Sequence, residues 1–139
     1  MQHQREIVGG ILLAVILIII AHMLPDVQRH EYLSMVLVGI ATAYIGFAVT
    51  DGNARNMLVE AGAIVGFSLC AVVGLWLNPI ALVVGYFGHG VWDMVHHEHG
   101  IQTRVTGWYI PLCVVVDWVM GAYIVWWLST APVLPLLTG

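Results

Sequence analysis

The chain has 139 residues, 60% of them hydrophobic and only 9% charged, with four Arg, no Lys and a formal net charge of −4. A soluble domain carries about 25% charged residues, so this composition cannot supply a solvated surface, and the lack of any basic patch excludes nucleic-acid binding. Mean hydropathy is +0.92, and the length fits one transmembrane domain over residues 1–139 whose partner is the lipid bilayer.

A bilayer core of about 30 Å requires about 20 apolar residues per helix. Five windows meet that need, so the expected fold class is all-α: a polytopic membrane protein built as a five-helix transmembrane bundle. The first window covers residues 7–23. It lacks the basic leader and small-residue cleavage site of a signal peptide, with Pro25 and Asp26 following His22, and reads as a span. The second covers 32–50 and carries Tyr44. The third covers 57–77 and places Glu60 one turn inside, close enough to snorkel toward the surface.

Gly62, Gly66, Cys70 and Gly74 recur at every fourth residue of this third window and predict a helix-packing seam. By depth alone, Gly62 and Gly66 lie level with Asp93 and His89, leaving room for those side chains. Asn78-Pro79 forces a tight turn. Proline suits a first helical turn, where no backbone donor is missed, so the third and fourth helices are expected to be antiparallel neighbours. The fourth window covers 79–97 and the fifth 108–128.

Arg5, Arg55 and Arg104 fall on one side of this arrangement and Arg29 on the other. The positive-inside rule then sets the N-terminus inside and the C-terminus outside, for a multi-pass protein of the cell inner membrane. Trp76, Trp108, Trp126 and Trp127 near the span ends read as aromatic-belt anchors; the deeper Trp92 and Trp118 are expected to wall a pocket. Cys70 and Cys113 lie at different depths within apolar segments and read as free thiols.

The informative stretch runs from Gly88 to His99. It holds His89, Asp93, His96, His97, Glu98 and His99, although an ionisable group at the centre of a membrane helix costs roughly 2.5 kcal/mol or more. At about 100° per residue, Asp93 lies about 40° and His96 about −20° from His89, with Tyr86 and Gly85 on the same stripe. Asp117 of the fifth window lies at a depth similar to His89, about 12–14 Å from the inner end. Cys113 matches Asp93, and Tyr44 and Tyr109 are within reach of the same inner half.

Glu60, His89, Asp93, His96 and Asp117 thus form the expected convergent set. Its acids need a positive counterpart: protons, a histidinium, a metal or a bound cationic group. Three readings remain open. His89, Asp93 and His96 can be metal ligands, with Asp117 or Glu60 as a fourth ligand or catalytic base. Alternatively, His89 and Asp117 tie two helices together in a structural network, or the set relays protons or ions. His97, His99 and His22 read as interfacial histidines.

The segment Gly-His-Gly-Val-Trp-Asp from Gly88 to Asp93, its later histidines, and Trp-Tyr-Ile-Pro-Leu-Cys-Val-Val-Val-Asp from Trp108 to Asp117 resemble a family of small bacterial integral membrane proteins of unknown function. The resemblance covers the last two spans. It implies a multi-span helical fold and a shared site at His89, Asp93, His96, Cys113 and Asp117, without an activity. The ligand types are also similar to those of membrane-embedded hydrolases of the alkaline ceramidase type, but the His-x-x-x-His element expected there is missing.

The leading expectation is a divalent transition metal, zinc or iron, serving a hydrolase or oxidoreductase that acts on a lipid-like substrate. The alternative is a non-enzymatic small subunit of a homo-oligomer or larger membrane complex. There the cluster is a structural network or a pigment, haem or quinone site.

Overall fold

In the computed structural model, which describes residues 3–97 and 103–130, every regular element is a helix. They are α1 (Gln4–Met23), α2 (Asp26–Asp51), α3 (Ala54–Trp76), α4 (Ile80–His97) and α5 (Tyr109–Thr130). Four of them, α1, α2, α3 and α5, are long and apolar enough to cross a membrane. The helix α4 carries His89, Asp93 and His96 and packs against α5, α3 and α2, so these three side chains face protein. The remaining contacts join α2 to α3 and α1 to α5, with a lesser contact of α1 on α2.

Local chemistry sets the helix ends. Gly52 ends α2 with φ of 69°, a left-handed conformation that glycine adopts without a Cβ penalty. The Asn53 side chain caps α3 by accepting from Arg55 N at 3.0 Å. Asn78 does the same for Ile80 N at 3.0 Å, ahead of α4.

Arg29 has a larger role than a loop charge. It is buried and donates to the carbonyls of Ala21 at 2.9 Å, Leu24 at 2.9 Å and His22 at 3.4 Å. These lie at the end of α1, where carbonyls lack intrahelical donors and a cation is favoured. Its guanidinium also sits 4.9 Å from the Trp127 ring centroid. Trp127 is therefore buried at 5% exposure instead of anchoring at the surface, whereas Trp76, Trp108 and Trp126 are exposed as expected of a belt.

The bundle has two unlike halves. Leu33, Leu37, Leu82, Tyr86, Met120 and Ile124 pack into an apolar core where α1, α3 and α5 end and α2 and α4 begin. The polar groups gather toward the opposite end. Outward faces are aliphatic: Val8, Leu12, Ile16 and Ile19 of α1 each stay more than half exposed. That is a surface lipid would cover, and one that soluble proteins rarely present.

Part of the expected α3 seam turns out otherwise. A Cβ at Gly74 would meet Leu82, but Gly62 and Gly66 have nothing within 4 Å. Depth was the wrong guide: at about 100° per residue Gly62 lies about 200° from Glu60, on the opposite face of the helix. Phe67 shares the Glu60 face, and its ring is 4.9 Å from that of His89. Cys70 and Cys113 are both free thiols.

Candidate functional site

Three side chains from two helices meet in the polar half. His89 and Asp93 stand one turn apart on α4, and Asp117 faces them from α5. His89, Asp93 and Asp117 each offer a ligand atom within 4.8 Å of the others. Their exposures are 1%, 0% and 0%. His89 Nδ1 is 2.7 Å from Asp117 Oδ2 and 3.7 Å from Asp93 Oδ1.

Close helix approach makes this possible. A Cβ at Gly90 would collide with the Trp118 indole and lie 3.4 Å from Asp117 Cβ. The missing side chain lets α5 press against α4 beside His89.

Tyr44 of α2 closes the group from a third side. Its hydroxyl donates to Asp93 Oδ1 at 2.5 Å, and the residue is 1% exposed. Its ring stands 5.7 Å from His89 and 4.7 Å from His96, between the trio and a second polar group.

That second group is centred on Glu60. His96 Nε2 lies 2.7 Å from Glu60 Oε1, Thr103 Oγ1 donates to the same oxygen at 2.8 Å, and Trp92 Nε1 donates to Oε2 at 3.3 Å. His96 Nδ1 donates to the Trp92 carbonyl at 2.8 Å. Both His96 nitrogens thus face acceptors, and a proton occupies the line between Nε2 and Glu60. Glu60 is 0% exposed, so it turns inward and does not snorkel. Trp92 thus serves this carboxylate from α4.

The five expected residues therefore converge as two neighbouring groups. Asp117 joins His89 and Asp93, while His96 sits with Glu60, away from the positions of a shared ligand set. About two turns of α4 separate His89, which Asp117 of α5 reaches, from His96, which Glu60 of α3 reaches. Cys113 is buried beside the trio without belonging to it, and Tyr109 packs 6.1 Å from Tyr44. His22 Nδ1 lies 3.5 Å from the Tyr123 hydroxyl, at the other end of the bundle. The side chain of His97 and the whole of Glu98 and His99 lie outside the described residues.

Hydrogen-bond capacity is not exhausted at the trio. His89 Nε2, Asp93 Oδ2 and Asp117 Oδ1 are buried without a hydrogen-bond partner. Buried polar atoms are nearly always paired, and two carboxyl groups in a dry space need a positive counterpart. One imidazole and two carboxylates are donors that zinc and iron accept. The site can thus hold protons, as its short hydrogen bonds require, or exchange them for a cation.

Sequence reasoning did not reach Thr103 or the inward role of Arg29. Thr103 belongs to a connecting segment where no periodicity signals burial. A family model described as a family of unknown function, DUF6010, matches residues 5–132, and the chain belongs to that family. The match extends from α1 through α5, well beyond the two last spans that carried the resemblance. Comparison with curated proteins and with solved structures gave no match.

Proposed function

We propose that this DUF6010 protein is an integral membrane protein that holds a transition-metal ion, zinc or iron, inside its helix bundle. His89, Asp93 and Asp117 are the ligands. The observation that carries this reading is the trio itself: donor atoms within 4.8 Å of one another, on residues that each keep an unpartnered buried polar atom. In this reading Asp117 is a ligand, while His96 and Glu60 form a supporting pair that fixes α3 against α4. Arginine placement supports an inside N-terminus and, for a bacterial cell, the inner membrane; α4 crosses the bilayer shielded by its neighbours.

An enzymatic form, hydrolysis or redox chemistry on a lipid-like substrate, requires the bundle to open, because the trio is at most 1% exposed. The same enclosure favours a second reading, in which the His89–Asp117 hydrogen bond at 2.7 Å is a structural tie within a non-enzymatic subunit. Elemental analysis of the purified protein separates the two. Stoichiometric metal that is lost in His89→Ala and in Asp93→Ala, with the helices retained, supports the metal site. Metal-free wild-type protein, after growth and purification with zinc and iron supplied, refutes it.

A further inference from the structure

We propose that a cavity where α2 meets α3 binds the zwitterionic headgroup of a phosphoethanolamine lipid. This rests on the membrane reading above and is independent of the metal. Asp51, Asn53, Asn56 and Arg104 line an open cavity of about 370 Å³, on the side that arginine placement reads as inner. Three elements build it. Asp51 closes α2, Asn53 caps α3, and Arg104 follows Thr103, which is 4% exposed and anchored on Glu60 at 2.8 Å. Asn56 is buried and donates from Nδ2 to Asp51 Oδ2 at 2.6 Å, which orients the carboxylate.

Charge selects the ligand. Arg104 Nε lies 3.8 Å from Asp51 Oδ1, too far for a hydrogen bond, and the Arg104 side chain is 93% exposed. An ion pair so exposed is worth little, so a ligand parts it at small cost. A phosphate alone would face the Asp51 carboxylate, and an ammonium alone would face the guanidinium. A zwitterion satisfies both: its ammonium donates to Asp51, and its phosphate accepts from Arg104. The two amides complete the set. Among the described hydrogen bonds, the Asn53 side chain uses only its oxygen, on Arg55 N, and that of Asn56 only its nitrogen. Asn53 is thus left to donate to the phosphate and Asn56 to accept from the ammonium. Val49 and Val59, near Asp51 and Asn56 in sequence, are exposed and offer aliphatic surface to acyl chains, which favours a lipid over free phosphoethanolamine.

Native mass spectrometry tests this on the detergent-solubilised full chain, titrated separately with phosphatidylethanolamine, phosphatidylcholine, phosphatidylglycerol and O-phosphoethanolamine. Phosphatidylethanolamine should bind most tightly. The quaternary ammonium of phosphatidylcholine has no N–H for Asp51, and phosphatidylglycerol has no ammonium. Asp51→Asn should weaken phosphatidylethanolamine binding by about tenfold or more, the loss of one charge-assisted hydrogen bond, and bring it level with phosphatidylcholine. Arg104→Gln, at an exposed position, should weaken both lipids by a similar factor. Should Asp51→Asn fail to fold, Arg104→Gln and the comparison with phosphatidylcholine still decide. Equal binding of the three lipids to wild type, or phosphatidylethanolamine binding unchanged in Arg104→Gln or in folded Asp51→Asn, overturns the site. Tighter binding of phosphatidylglycerol overturns the zwitterion, and O-phosphoethanolamine binding as tightly as the lipid overturns the lipid source. Wild-type protein that stays monodisperse without detergent overturns the membrane reading, and this one with it.

Discussion

Replacing Glu60 with Ala should destabilise the bundle more than any other single change in its polar half. Glu60 is 0% exposed and accepts from His96 at 2.7 Å, Thr103 at 2.8 Å and Trp92 at 3.3 Å. Truncation removes one member of a buried His–Glu pair, a change that costs about 3–5 kcal/mol in protein interiors because the partner is left uncompensated. Thr103→Val removes one neutral donor instead. Side-chain hydrogen bonds between helices of membrane proteins average about 0.6 kcal/mol, at most about 1.7, since the unfolded chain in a membrane also finds partners, and this bond from a connecting segment should cost no more. Reversible unfolding in mixed detergent micelles should therefore rank Glu60→Ala well below Thr103→Val, with Glu60→Gln between them. Glu60→Ala within about 0.5 kcal/mol of wild type, the range of an ordinary surface substitution, would refute the inward placement of this carboxylate.

Two further perturbations test the packing. Gly90→Ala drives a methyl group into Trp118 and against Asp117; overpacking of this kind costs about 1–3 kcal/mol, whereas Gly62→Ala, with nothing within 4 Å, should be neutral in the same unfolding assay. Arg29→Ala removes the guanidinium donors from three carbonyls at the end of α1, of which Ala21 keeps the Leu24 N–H at 3.2 Å, and should cost about 1.5–3 kcal/mol, the value of hydrogen bonds to a charged group. Arg29→Lys should recover only part of that, because an ammonium cannot reproduce the guanidinium fork; equal stability of both variants and wild type would count against the capping role.

The helical class and the number of helices were legible because apolar runs of span length, broken at Pro25, Gly52 and Asn78-Pro79, leave little else to build. Convergence of the polar residues was legible too, since His89, Asp93 and His96 share one stripe of α4. The partition of that stripe was not. Residues on one face at successive turns meet different neighbours: Asp117 of α5 reaches His89, while Glu60 of α3 reaches His96. Gly62 and Gly66 show the complementary error, because matching depth without matching rotation puts a residue on the wrong face. Phe67, seven residues from Glu60, carried the rotational signal that would have corrected it. Thr103 and Arg29 lie beside breaks in the hydropathy pattern, where a polar residue looks solvated until tertiary contacts enclose it.

Anomalous scattering from crystals of the protein grown with zinc or iron tests the metal site most directly, because it locates the ion as well as detecting it. The expected result is an anomalous peak among His89, Asp93 and Asp117, absent from crystals of Asp117→Asn. A clear map of the three side chains in hydrogen-bonded contact, with no anomalous density between them at saturating metal, would contradict the metal site and leave the trio as a proton-filled structural tie.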